Sequence, residues 1–253
     1  MERLIKLQKE NTREAVVEIA NLKKSFLDNH VLKDISITIN KGENVVVLGK
    51  SGSGKSVLIK CLVNLIEPDG GRLVILGKNL DDLNTEDLNG LRKKIGFLFQ
   101  SGALYDSMTV RENLAFPLRD SKTISEEEKI RLIDEALVNV GLEGTMDKMP
   151  SELSGGMRKR LGLARTLILK PEIILYDEPT TGLDPITAKE ISNLMMDIQK
   201  KYNTSSIIIT HDMACAKITA DRMIVFKDGL IEVEGTFKEL KNSKNPWIHS
   251  FFE

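Results

Sequence analysis

The fold of this chain is decided by the stretch Gly49-Lys50-Ser51-Gly52-Ser53-Gly54-Lys55-Ser56. It follows the apolar run 45–48 and leads into the apolar-rich segment 57–62, so it joins a predicted strand to a predicted helix. The glycines let the backbone curl until successive N–H groups point at a phosphate, and the helix presents its positive end to the same anion. Lys55 supplies a positive charge for the β- and γ-phosphates, and Ser56 supplies a hydroxyl for Mg²⁺. A merely flexible Gly/Ser loop is the alternative, but all the fixed positions of the P-loop pattern are present.

The overall composition is that of an ordinary globular protein. The 253 residues could form one large domain or two small ones, and 41% are hydrophobic and 29% charged. Because 36 basic and 37 acidic residues leave a formal net charge of −1, the composition does not predict a nucleic-acid partner. Cys61 and Cys215 lie far apart in no metal-binding or disulfide pattern, so we expect both to be buried apolar residues.

The sequence contains no membrane-spanning pattern. Met1 is followed by a charged, alternating segment, and no run approaches the roughly 20 apolar residues that span a bilayer. We therefore expect a cytoplasmic chain whose membrane role would need a partner. Residues 1–13 have mixed charge and fit either a short helix or a loose leader.

Apolar runs separated by turn residues predict the strands. The predicted strands are 15–20, 35–39, 45–48, 72–76, 95–99, 173–178 and 206–210, followed by a hairpin over 223–234 around Asp228-Gly229. Phe26 lies between the first two strands and could pack in the core or stack on a nucleotide base. The aromatic tail residues Trp247, Phe251 and Phe252 indicate local packing.

Two helices are predicted in the middle of the chain. The first begins at a capping box, continues through periodic apolar positions and ends at a glycine. Its signals are Ser125 and Glu128, then Ile130, Ile133, Leu137 and Val140, then Gly141. The second follows Leu153-Ser154-Gly155-Gly156-Met157, where the paired glycines fit an anion-binding helix terminus, although on this signal alone an ordinary N-cap at Ser154 is the better interpretation.

Acidic and polar residues follow the later strands. Asp177 and Glu178 end a buried strand, and in a chain with a P-loop two carboxylates there indicate a metal and water site. Asp184 is a predicted N-cap with a proline at the first helical position, and His211 follows the next strand. No internal repeat or low-complexity linker is visible, so we predict one α/β unit that carries a helical insert.

The order of these motifs along the chain resembles that in the ATP-binding subunit of an ABC transporter. The order is the P-loop, Gln100, the 153–157 motif, Asp177-Glu178, Asp184 and His211. The resemblance covers nearly the full length, and Leu-Ser-Gly-Gly before a second acidic strand is its most specific mark. It implies the P-loop NTPase (ABC ATPase) fold with an N-terminal antiparallel β part and a helical subdomain insert. Residues 1–253 would be one ATP-binding domain, with a RecA-like core at about 14–100 and 158–253 and the insert at about 101–157.

The resemblance also implies an ATPase that uses ATP and Mg²⁺. Phe26 would stack on adenine, and the P-loop from Gly49 to Val57 would hold the phosphates. Ser56, Gln100 and Asp177 would surround Mg²⁺. Glu178 would be the general base, and His211 would hold the γ-phosphate and the attacking water in line.

Members of this family act in pairs and with membrane partners. In a head-to-tail pair, Ser154, Gly155 and Gly156 of one chain would cover the nucleotide bound by the other, while Asp184 would link the two sites. A membrane permease would meet Gln100 and the segment 101–113, placing the chain on the cytoplasmic face of the membrane. We expect that segment to expose Leu104, Tyr105, Met108 and Val110.

A finer likeness is to the ATPase of Mla-type, Mce-associated lipid transporters, carried by residues 101–110, 157–160 and 175–185. It implies a phospholipid cargo, with a substrate-binding Mce-type protein and a small regulatory subunit as further partners. Met157 stands where Gln is commonest in the family and Val57 where Thr is common, but neither change removes a ligand.

Amino-acid or ion transport is the main alternative to lipid transport, and both stay open here because this chain does not contact the substrate. Classes outside transport fit less well. Members that act on DNA need long coiled-coil heptads, those that act on ribosomes need tandem nucleotide domains, and this chain has neither. A scaffold without turnover would not need Glu178 and His211.

Overall fold

The computed structural model describes residues 14–119 and 124–252. The two interpretations of residues 1–13 therefore lie outside the described residues. The strands are β1 Ala15–Phe26, β2 Asn29–Asn40, β3 Asn44–Gly49, β4 Gly70–Ile75, β5 Lys78–Asn79, β6 Ile95–Leu98, β7 Ile173–Asp177, β8 Ser205–Ile209, β9 Arg222–Lys227 and β10 Leu230–Gly235. The α-helices are α1 Lys55–Leu62, α2 Thr85–Arg92, α3 Val110–Ala115, α4 Glu126–Val140, α5 Gly155–Leu167, α6 Pro185–Tyr202, α7 Met213–Thr219, α8 Phe237–Lys241 and α9 Pro246–His249.

The strands form two sheets. An antiparallel sheet has the order β2-β1-β4-β5, which confirms the predicted N-terminal antiparallel part. The larger sheet has the order β10-β9-β3-β8-β7-β6, and all its pairs are parallel except the β9–β10 hairpin. Parallel strands share one carboxyl edge, and loops at that edge are where α/β sheets place ligands. The fold therefore brings the ends of β3, β6, β7 and β8 together.

The central strands are buried on both faces, which explains their continuous apolar runs. All six residues of β3 are buried. Val46 and Leu48 pack in the core formed with helices α3 to α7, whereas Val45 and Val47 pack in the core formed with α1 and the antiparallel sheet. Full burial of each such side chain stabilises the fold by about 1.5–3 kcal/mol.

Helix α4 differs from its prediction in two respects. The Ser125 hydroxyl accepts from the Glu128 N–H at 3.2 Å, but the Glu128 carboxylate pairs with Arg131 at 2.6 Å, so the expected capping box is only half formed. A guanidinium one turn further on offers two charge-assisted bonds, which outcompete the backbone N–H of Ser125. Ile130 is 45% exposed and is not a core residue. Gly141 ends the helix with φ +65°, as predicted.

Smaller predictions are confirmed. Trp247 packs edge-on against Phe251, with 5.0 Å between ring centroids, and Phe252 packs against Phe237. Cys61 and Cys215 are buried, and burial raises the pKa of both thiols to about 11.

Within residues 14–119 and 124–252, none of the helices has the length and apolar character needed to cross a bilayer.

Candidate active site

The loop between β3 and α1 adopts a conformation that requires glycine. Gly54 is the N-cap of α1 with φ +99°, and a Cβ there would lie 2.8 Å from Leu32 Cδ2. A Cβ on Gly49 would lie 2.6 Å from Ser53 Oγ and 2.7 Å from the carbonyl oxygen of Phe226. Side chains at these two positions would therefore push the loop away from β2 and β9.

Lys55 lies inside the curl of this loop. Its Nζ donates to the carbonyl oxygens of Gly49 at 2.7 Å and Lys50 at 3.0 Å. Burial lowers the pKa of this ammonium, while the charges of Glu178 and Asp177 oppose that shift. The ammonium is thus held at the mouth of the loop, near the two carboxylates.

Asp177 and Glu178 lie at the end of β7, opposite the P-loop. Burial, and then the adjacent charge of Glu178, raises the pKa of Asp177 above its usual range, with Lys60, Lys55 and Lys159 opposing. These two acids form a centre of negative charge that a cation would neutralise.

The backbone and the side chain of Glu178 are both held by neighbours. Its φ of +51° is unusual for a residue with a Cβ and costs on the order of 1–2 kcal/mol. Its N–H donates to the carbonyl oxygen of Ile209 at 2.9 Å. Its Oε2 lies 2.8 Å from His211 Nδ1 and accepts from the Thr181 hydroxyl at 3.2 Å. The surrounding structure thus fixes the direction of this carboxylate.

An open cleft of about 660 Å³ unites most of the predicted site residues. The predicted residues that line it are Phe26, Gly49, Ser51, Gly52, Ser53, Gly54, Lys55, Ser56, Val57, Gln100, Asp177, Glu178 and His211. Lys50 instead lines a neighbouring cleft of about 460 Å³ beside Trp247. The fold therefore joins positions that are up to 185 residues apart in sequence, from Phe26 to His211.

Besides Lys50, four predicted residues do not line this cleft in the described part of the chain: Ser154, Gly155, Gly156 and Asp184. Ser154 and Asp184 are the N-caps of α5 and α6, and both side chains are exposed. The two helix starts lie against each other, because a Cβ on Gly156 would be 2.6 Å from Thr187 Cγ2. These residues form a surface separate from the cleft.

The structure also adds residues that the sequence did not single out. Asn29, Val31 and Ile209 line the cleft, and Thr181 contacts Glu178. Lys159 is buried behind Glu178, where burial lowers its pKa and the charges of Glu178 and Asp177 oppose the shift. A lysine in a helix usually indicates an exposed position, so the sequence carried no signal for it.

Comparisons with known proteins agree with this geometry. A family model described as "ABC transporter" matches residues 32–181. Protein TRIGALACTOSYLDIACYLGLYCEROL 3 of Arabidopsis thaliana is 38% identical over 259 residues, covering 96% of this chain and 74% of that protein. The probable ribonucleotide transport ATP-binding protein mkl of Mycobacterium tuberculosis is 41% identical over 236 residues, or 93% of this chain. This chain spans 66% of the length of the mycobacterial relative.

Among solved structures, a dimeric post-hydrolysis state of the ATP-binding cassette MJ0796 bound to ADP and Pi superposes with a TM-score of 0.79. Its sequence is 32% identical, and the match covers 88% of this chain and 99% of that one. The family model covers more than half of the residues, and each of these relatives exceeds 30% identity. The chain therefore belongs to the ABC transporter family, as one of its ATP-binding and ATP-hydrolysing domains.

Proposed function

We propose that the cleft at the carboxyl ends of β3, β7 and β8 hydrolyses ATP and that the chain thereby powers lipid transport through a separate membrane permease. The observation that carries the hydrolytic assignment is the carboxylate of Glu178, which His211 and Thr181 orient in a cleft shared with the P-loop. The lipid assignment rests on the likeness of residues 101–110, 157–160 and 175–185 to Mla-type ATPases and on the name of the Arabidopsis relative.

The nucleotide would be held from both ends of the cleft. Phe26, 45% exposed at the end of β1, would offer its ring to adenine, while the P-loop from Gly49 to Val57 and the ammonium of Lys55 would hold the phosphates. This assignment uses the residues that line the cleft on opposite sides.

The oxygen donors of the cleft fit Mg²⁺. Ser56, Gln100 and Asp177 line it together, and burial and then the adjacent charge of Glu178 raise the pKa of Asp177, so a cation beside this carboxylate would be favourable. Magnesium binds through one or two carboxylates together with substrate phosphates, so a set of three protein donors suits it. When bound, the ion would neutralise charge on the β- and γ-phosphates.

Hydrolysis would use Glu178 as general base. A water attacks the γ-phosphorus, the bond to the β-phosphate oxygen breaks, and the proton of the water passes to the carboxylate of Glu178. His211 donates through Nδ1 to the same carboxylate and so keeps it aimed into the cleft. The products are ADP and inorganic phosphate.

Replacing Phe26 by Ala is expected to weaken ATP binding by about 1–3 kcal/mol, because an aromatic platform for the base is lost. Leu27→Ala is the matched control, since Leu27 is 99% exposed at the adjacent position. Titration of each purified variant with ATP measures the difference. Equal affinities for both variants would show that the base lies elsewhere.

The exposed caps of α5 and α6 suit a second copy of the chain. Ser154 and Gly155 are exposed at the start of α5, and Asp184 is exposed beside them. We propose a head-to-tail dimer in which this surface covers the nucleotide of the partner. The proposed insert of about 101–157 would contribute Ser154 and Gly155 to this surface, and the proposed core of about 14–100 and 158–253 would contribute Asp184.

The segment 101–113 is a second exposed surface, which we assign to the permease. Asn113 is fully buried and donates to the carbonyl oxygens of Tyr105, Met108 and Thr109, so the segment has a defined shape. Val110 is also buried, contrary to its predicted exposure, because it begins α3 and packs in the helical core. Tyr105 is 41% exposed and packs against Phe116.

Tyr105→Asp is expected to abolish co-purification with the membrane subunit while ATP binding by the chain stays within about two-fold, since the interface would bury a carboxylate in place of an aromatic ring. Ile130→Asp is the matched control, because Ile130 is 45% exposed on α4. Leu104 is less suitable, because it packs against the core. Recovery of an intact, coupled complex with Tyr105→Asp would place the contact elsewhere.

The cargo is tested on the parent complex. We expect solvent extraction of the purified complex to release phospholipid and added phospholipid to stimulate its ATPase activity. Stimulation by ribonucleotides or amino acids, with no bound lipid, would contradict the lipid assignment and leave the ATPase assignment intact.

A further inference from the structure

We propose that Lys159 is a positioning residue for ATP hydrolysis, whose ammonium group holds the ends of β6 and β7 in register and thereby aims Glu178. The inference rests on the proposed role of Glu178 as general base. Lys159 lies outside the groups already assigned to the site, which are the P-loop, Asp177 and Glu178 at the end of β7, and His211.

The contacts of Lys159 are directed at the backbone of two site residues. The side chain extends from the second turn of α5 and is 7% exposed. Its Nζ donates to the carbonyl oxygen of Gln100 and, at 3.2 Å, to the carbonyl oxygen of Glu178. One ammonium therefore joins the loops that follow two neighbouring strands.

These two loops start from paired strands. Leu98 on β6 is paired with Tyr176 on β7, and Gln100 and Glu178 each lie two residues further on. Beyond the paired positions, strand pairing no longer fixes the distance between the segments that follow β6 and β7. The bridge through Lys159 sets that separation where Gln100 and Glu178 line the cleft.

Glu178 needs such a restraint because its backbone is strained. At φ +51°, the peptide would relax if nothing held it. The N–H of Glu178 is fixed by Ile209, and its carbonyl oxygen accepts from Lys159 and, at 3.3 Å, from the N–H of Thr181. Loss of the ammonium would remove the contact that comes from α5, so the carboxylate would spend less time in its productive direction.

The contacts of Lys159 argue against a direct role in binding ATP. Lys159 does not line the cleft in the described part of the chain, and its two bonds are to main-chain carbonyls. Its removal should therefore change the rate of the chemical step and leave ATP affinity nearly unchanged.

The test compares Lys159→Met with Arg160→Met in the full chain. Arg160 is the next residue of the same helix, and it also donates to a main-chain carbonyl, that of Val140 at 3.0 Å, away from the cleft. Lys159→Met is expected to lower the single-turnover rate of ATP hydrolysis about 10- to 100-fold with ATP affinity within about two-fold, whereas Arg160→Met lowers thermal stability without slowing hydrolysis. A loss of affinity or stability with an unchanged rate would overturn the proposal.

A double-mutant cycle separates this inference from the role of Glu178. If Lys159 acts through Glu178, Lys159→Met should change the residual rate of a Glu178→Gln background by less than about two-fold. A full additional loss would show that Lys159 acts by another route and would overturn the proposal. Parent-like hydrolysis by Glu178→Gln alone would instead overturn the general-base assignment.

Conservative variants provide a second readout. Lys159→Arg keeps a cation with several donors, and Lys159→Gln keeps a shorter donor that can reach fewer carbonyls. We expect hydrolysis rates in the order lysine, arginine, glutamine, methionine. If Lys159→Met does not fold, equal rates for lysine, arginine and glutamine would still refute the proposal.

Discussion

Replacement of Glu178 by Gln is expected to slow ATP hydrolysis about 10³-fold and to leave ATP affinity within about two-fold of the parent. The amide has nearly the same shape but cannot accept the proton of the attacking water. In the proposed site the phosphates are held by other residues, those of the P-loop with Lys55, which also line the cleft. A nucleotide that binds but is not cleaved should also hold two copies of the chain together.

Three measurements on this variant check the prediction: steady-state hydrolysis, ATP titration and sedimentation with and without ATP. Glu172→Gln is the matched control, because Glu172 lies beside the opposite end of β7 and pairs with Lys94 at 2.8 Å on the surface. It should behave as the parent. Parent-rate turnover by Glu178→Gln would reject the general base, and the absence of an ATP-dependent dimer would reject the proposed pairing.

Lys55→Ala is expected to weaken ATP binding about 100-fold or more, because a charge-assisted hydrogen bond contributes about 1.5–3 kcal/mol and this ammonium would make more than one with the phosphates. The ammonium already lies in the curl of the loop, bonded to the carbonyl oxygens of Gly49 and Lys50. Without it, the concave loop retains its N–H groups but loses its only cationic side chain that lines the described cleft.

Calorimetric titration with ATP measures this loss. The control is Lys50→Ala, because Lys50 belongs to the same loop but lines the neighbouring cleft. We expect its affinity to stay within about three-fold of the parent. Unchanged affinity in Lys55→Ala, with a normal thermal unfolding transition, would mean that the nucleotide does not occupy this cleft.

The sequence by itself determined the local features of the fold. The P-loop, the N-caps at Ser154 and Asp184 and the hairpin at Asp228-Gly229 depend on residues within a few positions of one another, and all have the predicted geometry. The continuous apolar runs 45–48 and 207–209 were readable for a related reason, since burial on both faces of the sheet favours apolar side chains at successive positions.

Several predictions about individual side chains were wrong. Glu128 binds Arg131 and does not complete the capping box, Ile130 points outward, and Val110 is buried at the start of α3. Each outcome depends on neighbours that a periodic pattern does not specify. The same limit applies to Asn113, a polar residue whose burial follows from the carbonyl groups it satisfies.

Only the tertiary structure decided how the site is assembled. The parallel pairing of β3, β8, β7 and β6 brings the P-loop and Glu178 to one edge, and the strained φ of Glu178 is held by Ile209 and Lys159. Lys159 is separated by 59 residues from Gln100, and such contacts are set by strand order and helix packing. Closing these long loops costs conformational entropy, which the rest of the fold must offset before the contacts form. The contacts therefore depend on the whole fold and not on any local stretch of sequence.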